Sequence, residues 1–358
     1  MELPVDFVLR TRALLGNEYS DFEAALATET PVSIRLNSRK GLTAPVFGKQ
    51  IPWSNTGYYL PERLTFTFDP LFHAGGYYVQ EASSMFLEQA IKTYIDKPIK
   101  CLDLCAAPGG KSPHLLDLLL VSNEVIRNRS LILAENITKW GNPNVIVSND
   151  DPEKIGQLTH YFDLIVTDVP CSGEGMFRKD EDSREEWSVA NVELCASRQR
   201  RIIHDIWEAL KPGGILIYST CTYNTAENEK NIRYIAEELG ADSLPLSIPT
   251  EWQISGSLEG NLPVYRFFPH KTKGEGFFLA ILRKADKEIN TIKLKTKNNK
   301  NKKKESAPED FRKWLKEPDN FILNDHNGII EVFPLIHKEF PADRKIENRF
   351  CRDKIRRK

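Results

Sequence analysis

None of the six cysteines of this 358-residue chain stands in CxxC spacing, and no His-x-x-x-His accompanies them. That pattern excludes the common structural zinc sites, so no metal is expected. Cys101, Cys105, Cys171, Cys195, Cys221 and Cys351 read instead as free thiols of a reducing compartment. No apolar run approaches the roughly 20 residues that a membrane helix needs. The start, Met1-Glu2-Leu3-Pro4-Val5-Asp6, is acidic where a signal peptide is positive, which points to the cytoplasm. A net positive charge is missing as well, since 49 Lys and Arg against 50 Asp and Glu leave −1. Any nucleic-acid surface must therefore come from local basic clusters.

A composition of 41% hydrophobic and 28% charged residues is ordinary for a globular protein, and the length suits two domains. Residues 1–75 read as a small N-terminal α/β domain, with helical apolar spacing over 7–15 and strand-like alternation over 31–37. Residues 76–284 alternate strand and helix, with apolar strands expected at 100–105, 120–125, 145–148, 162–169 and 215–221. The longest helix is expected over 188–210, stopped by the turn Lys211-Pro212-Gly213-Gly214. Such alternation implies a parallel sheet covered on both faces, with ligands at the carboxyl ends of its strands. Residues 285–308 form a Lys/Asn-rich linker, and 309–358 a partial C-terminal segment that ends on a basic run.

Three motifs stand at expected strand ends. The first is Cys101-Leu-Asp-Leu-Cys-Ala-Ala-Pro-Gly-Gly-Lys111, a strand entering a small-residue turn and then a helix over 112–118. Small residues let a ligand approach the backbone, and a helix start offers unsatisfied N–H groups. The turn lacks both the GxGxxG and the GxxxxGKS spacing, which sets it apart from dinucleotide folds and phosphate loops. Glu124 ends the next strand, where a carboxylate accepts from ribose hydroxyls; alone it would be a solvated acid. The second motif is Asp168-Val-Pro-Cys171-Ser-Gly-Glu-Gly175. A lone cysteine is usually a small core residue, but Ser-Gly-Glu-Gly does not read as core. The third is Tyr218-Ser-Thr-Cys221-Thr-Tyr-Asn-Thr-Ala-Glu-Asn-Glu229, where Asn224 or Thr225 would cap a helix starting near Ala226. A thiol at a helix start has a lowered pKa; a plain capping box is compatible with that reading.

Together these motifs resemble the Nol1/Nop2/Sun family of RNA cytosine-C5 methyltransferases, and the bacterial 16S ribosomal RNA members most. The resemblance spans roughly residues 31–283 and includes 76–84, 266–270 and 276–278. It implies an α/β fold: a Rossmann-like S-adenosylmethionine-dependent methyltransferase sheet with a small N-terminal α/β domain and an incomplete C-terminal segment. By that resemblance Cys105, Ala106, Ala107, Pro108, Gly109, Gly110 and Lys111 form the S-adenosyl-L-methionine loop. Glu124 would hold the ribose, Asp151 would meet the adenine, and Asp168 would lie between cofactor and target base. Cys221 would be the nucleophile and Cys171 would aid product release. The chemistry asks for these residue types. Carbon 5 of cytosine is too weak a nucleophile unaided, and a thiolate added at carbon 6 turns the ring into an enamine that takes the methyl group. An acid at ring nitrogen 3 and help with elimination complete the set.

The substrate implied is 16S rRNA, with a tRNA substrate or a catalytically weak RNA-binding assembly factor as alternatives, and a monomer is expected. A DNA cytosine methyltransferase would use the Cys of Pro-Cys and has no counterpart of Cys221. A small-molecule methyltransferase needs neither paired thiols nor an N-terminal extension. One departure from the family is the uninterrupted run 114–124, which lacks turn residues before Glu124. Three basic groups are candidates for RNA phosphate: Arg35, Arg39 and Lys40; Arg198, Arg200 and Arg201; and Lys293 to Lys304. The first lies in the segment that the resemblance assigns to substrate contact.

Overall fold

Buried positions four apart set the first element. Phe7, Thr11 and Leu15 form the inward stripe of α1 (Val5–Leu15), and Tyr19, Phe22 and Leu26 that of α2 (Tyr19–Leu26). Both helices pack on residues far along the chain, since Phe7 and Phe22 share one cluster with Phe177, Trp187, Tyr223 and Phe268. The strands β1 (Val32–Leu36), β2 (Lys49–Gln50), β3 (Gly57–Leu60) and β4 (Tyr77–Val79) form an antiparallel sheet in the order β2-β3-β1-β4. The short helix α3 (Pro70–His73) precedes β4 and α4 (Leu87–Tyr94) follows it. β4 lies beyond residue 75, so this sheet crosses the boundary drawn from the sequence. The computed structural model describes residues 3–43, 48–97, 99–115, 119–142, 144–286, 309–326 and 329–335.

The second sheet holds the runs rich in Val, Ile and Leu. β5 (Lys100–Asp103), β6 (Leu119–Asn123), β7 (Val145–Ser148), β8 (Phe162–Asp168) and β9 (Leu210–Thr220) are parallel, in the order β9-β8-β5-β6-β7. Between them run α5 (Arg127–Trp140), α6 (Pro152–Gly156), α7 (Glu181–Glu185) and α8 (Val189–Ile206). After β9 come α9 (Glu229–Glu237), β10 (Ala241–Ser243), β11 (Val264–Phe267) and β12 (Phe277–Lys284). β12 lies antiparallel between β10 and β9 and also pairs with β11. A hairpin of β13 (Phe321–His326) and β14 (Ile329–Pro334) forms a sheet of its own.

Alternation along the strands feeds two cores, because successive side chains leave opposite faces. Cys101, Leu120, Leu164, Ile217 and Leu279 face Trp53, Phe86 and Trp140 of the N-terminal half and α5. Leu102, Val121, Ile165, Leu216 and Phe278 face Ile203, Ile206 and Ile232 of α8 and α9. The chain moves from β5 outward to β6 and β7, then returns to β8 on the other flank. That reversal between β5 and β8 opens a crevice at their carboxyl ends.

Local expectations differ from the structure at four places. Lys211-Pro212-Gly213-Gly214 is no terminating turn but part of β9, where the register slips between the pairs Phe162↔Leu210 and Leu164↔Ile215. The bulge tolerates proline and Gly213 at φ 71°. The long helix ends at Ile206, earlier than residue 210. The helix expected over 112–118 is one tight turn at Ser112–Leu115, and 116–118 lie outside the described residues. The helix expected from Ala226 begins at Glu229, because the Asn224 side chain binds the Glu227 N–H in a preceding turn. Residues 287–308, nearly all of the expected linker, and the basic run at 349–358 also lie outside the described residues.

Candidate active site

β5 delivers the glycine loop to the crevice. Gly109 sits at φ 109°, a conformation that disfavours side chains, and a Cβ on Gly110 would stand 3.3 Å from the Tyr78 ring. The loop's backbone is held from outside: Ala106 N–H donates to Asn123 O, Arg129 to Ala107 O, and Asn136 to Pro108 O. The small residues thus leave one side of the loop bare. That side edges a cleft of about 340 Å³, lined by Cys105 to Pro108, Gly110, Lys111, Asp168 and Cys221. Gln80, Glu81 and Glu275 close it from the N-terminal sheet and the turn before β12.

Parallel pairing of β8 and β9 puts Asp168 opposite Ser219, and so brings the second and third motifs side by side. Asp168 accepts from Ser219 Oγ at 3.0 Å and from Lys111 Nζ at 2.5 Å. Burial pulls the Lys111 ammonium pKa down, but Asp168, Asp103 and Cys221 outweigh it and hold the pKa above its ordinary value. Cys171 and Cys221 meet with their sulfurs 3.2 Å apart. The hydrogen bond with Cys221, then burial, push the Cys171 thiol well up, so that thiol keeps its proton. At the base of the loop, burial lifts the Asp103 carboxyl to about 7 against the bond from Ser112 Oγ.

Two expected ligands stand apart from this cleft. Glu124 is buried behind the loop, accepting from Ile126 N–H at 2.9 Å, with Arg129 Nη1 3.6 Å away. Because Arg129 also holds Ala107 O, Glu124 is tied to the loop through that guanidinium. Asp151 is exposed and spends its carboxylate on the start of α6, accepting from Glu153 N–H at 3.0 Å. Its neighbour Asp150 turns inward and pairs with Lys154.

The expected RNA contact at Arg35 is overturned. Arg35 is 4% exposed, donates to Gln80 Oε1 and Gly110 O, and lies over the Trp140 ring. Burial lowers its pKa to about 9. A guanidinium so enclosed supports the glycine loop and does not reach phosphate. Arg200, on α8, is likewise engaged, with Asn231. The thiol-bearing loops depart from expectation too. Ser172, Glu174 and Gly175, read as unsuited to a core, are buried in a polar network with Glu227. The helix that follows, α9, begins at Glu229, eight residues beyond Cys221, and Lys111 is a cation that interacts with that thiol. Glu227, Gln80 and the buried Arg266, which holds Tyr223 O at 2.7 Å, lie in segments that the motifs and the resemblance include, but the sequence reading assigns none of them a role. An Arg between the apolar residues of β11 was the available signal.

A family model for 16S rRNA methyltransferase RsmB/F matches residues 95–283, and one for the N-terminal domain of 16S rRNA methyltransferase RsmF matches residues 3–82. The chain belongs to the RsmB/F family. It is 31% identical over 363 residues to ribosomal RNA small subunit methyltransferase F of Vibrio campbellii, covering 90% of this chain and 76% of that protein. The protein of the same description from Pectobacterium atrosepticum is 36% identical over 308 residues, 79% of this chain but only 63% of the relative's own length. Among solved structures, a methyltransferase homolog from Pyrococcus horikoshii is 30% identical, with a TM-score of 0.64 over 78% of this chain and 94% of the other. NSun6 from the same organism, solved with SFG, shares the fold at 21% identity, with a TM-score of 0.67 over 79% of this chain and 99% of its own. The architecture is thus the Rossmann-like methyltransferase sheet that the motifs implied.

Proposed function

We propose that the protein methylates carbon 5 of a cytosine in RNA, with 16S rRNA as the substrate and S-adenosyl-L-methionine as the methyl donor. The observation that carries this is the pair of sulfurs 3.2 Å apart beside Asp168 at the mouth of the cleft. The bare backbone of Ala106, Ala107 and Gly110 fits a cofactor pressed against the loop. S-adenosyl-L-methionine, when bound, supplies a methyl group on a sulfonium. Cys221 adds to carbon 6 of the cytosine, and the Asp168–Lys111 pair offers a proton to ring nitrogen 3 as charge builds there. Release requires that the carbon 5 proton leave and the bond from carbon 6 to sulfur break. Cys171 gives its retained proton to the departing Cys221 sulfur and, as the thiolate so formed, takes the carbon 5 proton, a role supported by that retained proton and by its contact with the same sulfur.

Glu124 would act at the ribose side through the Arg129 link, with Asp151 near the adenine. The reading includes a monomer that works in the cytoplasm; no helix among the described residues is long and apolar enough to cross a membrane. The test uses small ribosomal subunits from cells lacking the gene. Cys171→Ala should accumulate a covalent protein–RNA adduct that survives denaturing electrophoresis, whereas Cys221→Ala should form neither adduct nor product. An adduct with Cys221→Ala but not with Cys171→Ala would reverse the two roles. No incorporation of labelled methyl by the wild type would refute the activity.

A further inference from the structure

The loops carrying the two thiols exchange carboxylates. Glu174, on the Cys171 loop, accepts from the backbone N–H of Tyr223 at 2.7 Å and of Asn224 at 2.9 Å, both on the Cys221 loop. Glu227, beyond Cys221, returns the favour to the Cys171 loop, accepting from Ser172 N–H at 3.0 Å and Ser172 Oγ at 2.5 Å. Gly175 N–H closes the seam on Cys221 O at 2.8 Å. Gln199 of α8 anchors the whole, donating one amide to Glu227 and to Pro170 O, the carbonyl just before Cys171. The outer oxygen of each carboxylate is filled by Asn224 Nδ2, with Trp187 Nε1 completing Glu174.

Such a network is costly unless geometry is its purpose. Two carboxylates under a pair of thiols oppose thiolate formation, and Glu227 contributes to the raised pKa of Cys171. Burial in turn lifts the Glu227 carboxyl above its ordinary range. Neutral packing would hold the loops without that penalty, but it could not satisfy four unpaired loop donors at once. We infer that Glu174 and Glu227 are reciprocal positioning residues, each carried by the loop of one cysteine and binding the loop of the other, which together keep the two sulfurs within reach. The inference rests on the proposed thiol chemistry for its purpose, but the geometry is testable without RNA.

A glutamine in either place turns an amide donor toward donors and should spread the seam. The direct readout is closure of a Cys171–Cys221 disulfide by glutathione disulfide, followed by peptide mass. One cysteine displaces a glutathione thiol to form a mixed disulfide, the other displaces the second, and the protein loses two hydrogens as two glutathione thiols leave. Glu227→Gln and Glu174→Gln should each slow closure at least ~10-fold and lower methyl transfer to small ribosomal subunits by roughly 10²-fold, the scale of a misplacement near 1 Å. Trp207→Phe, at the opposite end of β9, is the control: it should lower the melting temperature while closure keeps its wild-type rate. If a glutamine variant does not fold, Ser172→Ala removes one donor from Glu227 and should slow closure by a smaller factor. Closure at the wild-type rate in the folded glutamine variants, or in Ser172→Ala where they do not fold, overturns the inference. Wild-type protein that closes the disulfide but never methylates RNA would sink the proposed function instead.

Discussion

Lys111 Nζ stands 2.5 Å from Asp168 Oδ2, so the glycine loop after β5 and the end of β8 meet through one ion pair at the floor of the cleft. The Lys111 side chain is 14% exposed and that of Asp168 37%, so the pair is buried at its lysine and opens to solvent at its carboxylate.

Removing that cation should disable chemistry rather than folding. Lys111→Met keeps a side chain of similar length beside the Phe277 ring, over which the ammonium lies, but strips Asp168 of its partner. Methyl incorporation into small ribosomal subunits should fall by about 10²-fold, the usual share of a positioned acid or base. A variant with unchanged turnover would show that the pair is only structural.

Asp103 gives a pH dependence whose sign is set by burial. Its folded pKa of about 7 exceeds the ordinary 3.8, so between those values the folded chain holds a proton that the unfolded chain has released. Stability therefore falls as pH rises from about 4 to 7 and then levels off, by on the order of 4 kcal/mol in all. Asp103→Asn should flatten this slope and raise the urea midpoint at pH 8, with little change at pH 4. A slope as steep as that of the wild type would assign the effect elsewhere.

Arg35 should behave as a core residue. Arg35→Met abandons Gln80 Oε1 and Gly110 O, and should cost about 1–3 kcal/mol in urea unfolding. The salt dependence of RNA binding should keep its wild-type slope, since no phosphate contact is lost. A flatter slope would return this residue to the RNA surface.

Glu124 tests the proposed cofactor geometry. Glu124→Gln leaves the side chain's size unchanged but weakens the link through Arg129 to Ala107 O. S-adenosyl-L-methionine affinity, by isothermal titration, should drop by about 1–3 kcal/mol. Unchanged affinity would remove Glu124 from the ribose.

Much of the fold was legible because its signals are local. Apolar runs at 145–148 and 162–169 became β7 and β8 almost residue for residue. The thiol pair was legible as two motifs at strand ends, though their contact needed the parallel register of β8 and β9. Arg35 was misread because a charged residue in an alternating strand looks solvent-facing. Its cover is Trp140, more than a hundred positions away, and nothing in a local window shows it. Glu174 and Glu227 were passed over for a similar reason: a lone carboxylate reads as surface or as a cap until its donors, some fifty residues off, are known.

The position of β12 bears on how the molecule is born. Glycine loop, ion pair and both sulfurs are all synthesised by residue 221, yet the turn and strand that wall the cleft come later, and β12 must slide in between β9 and the edge strand β10. Until it does, β9 presents an open hydrogen-bonding edge next to the two thiols. A nascent chain stalled before Phe277 would therefore be sticky and inert together, and the cleft acquires its last wall only when nearly the whole sheet has left the ribosome.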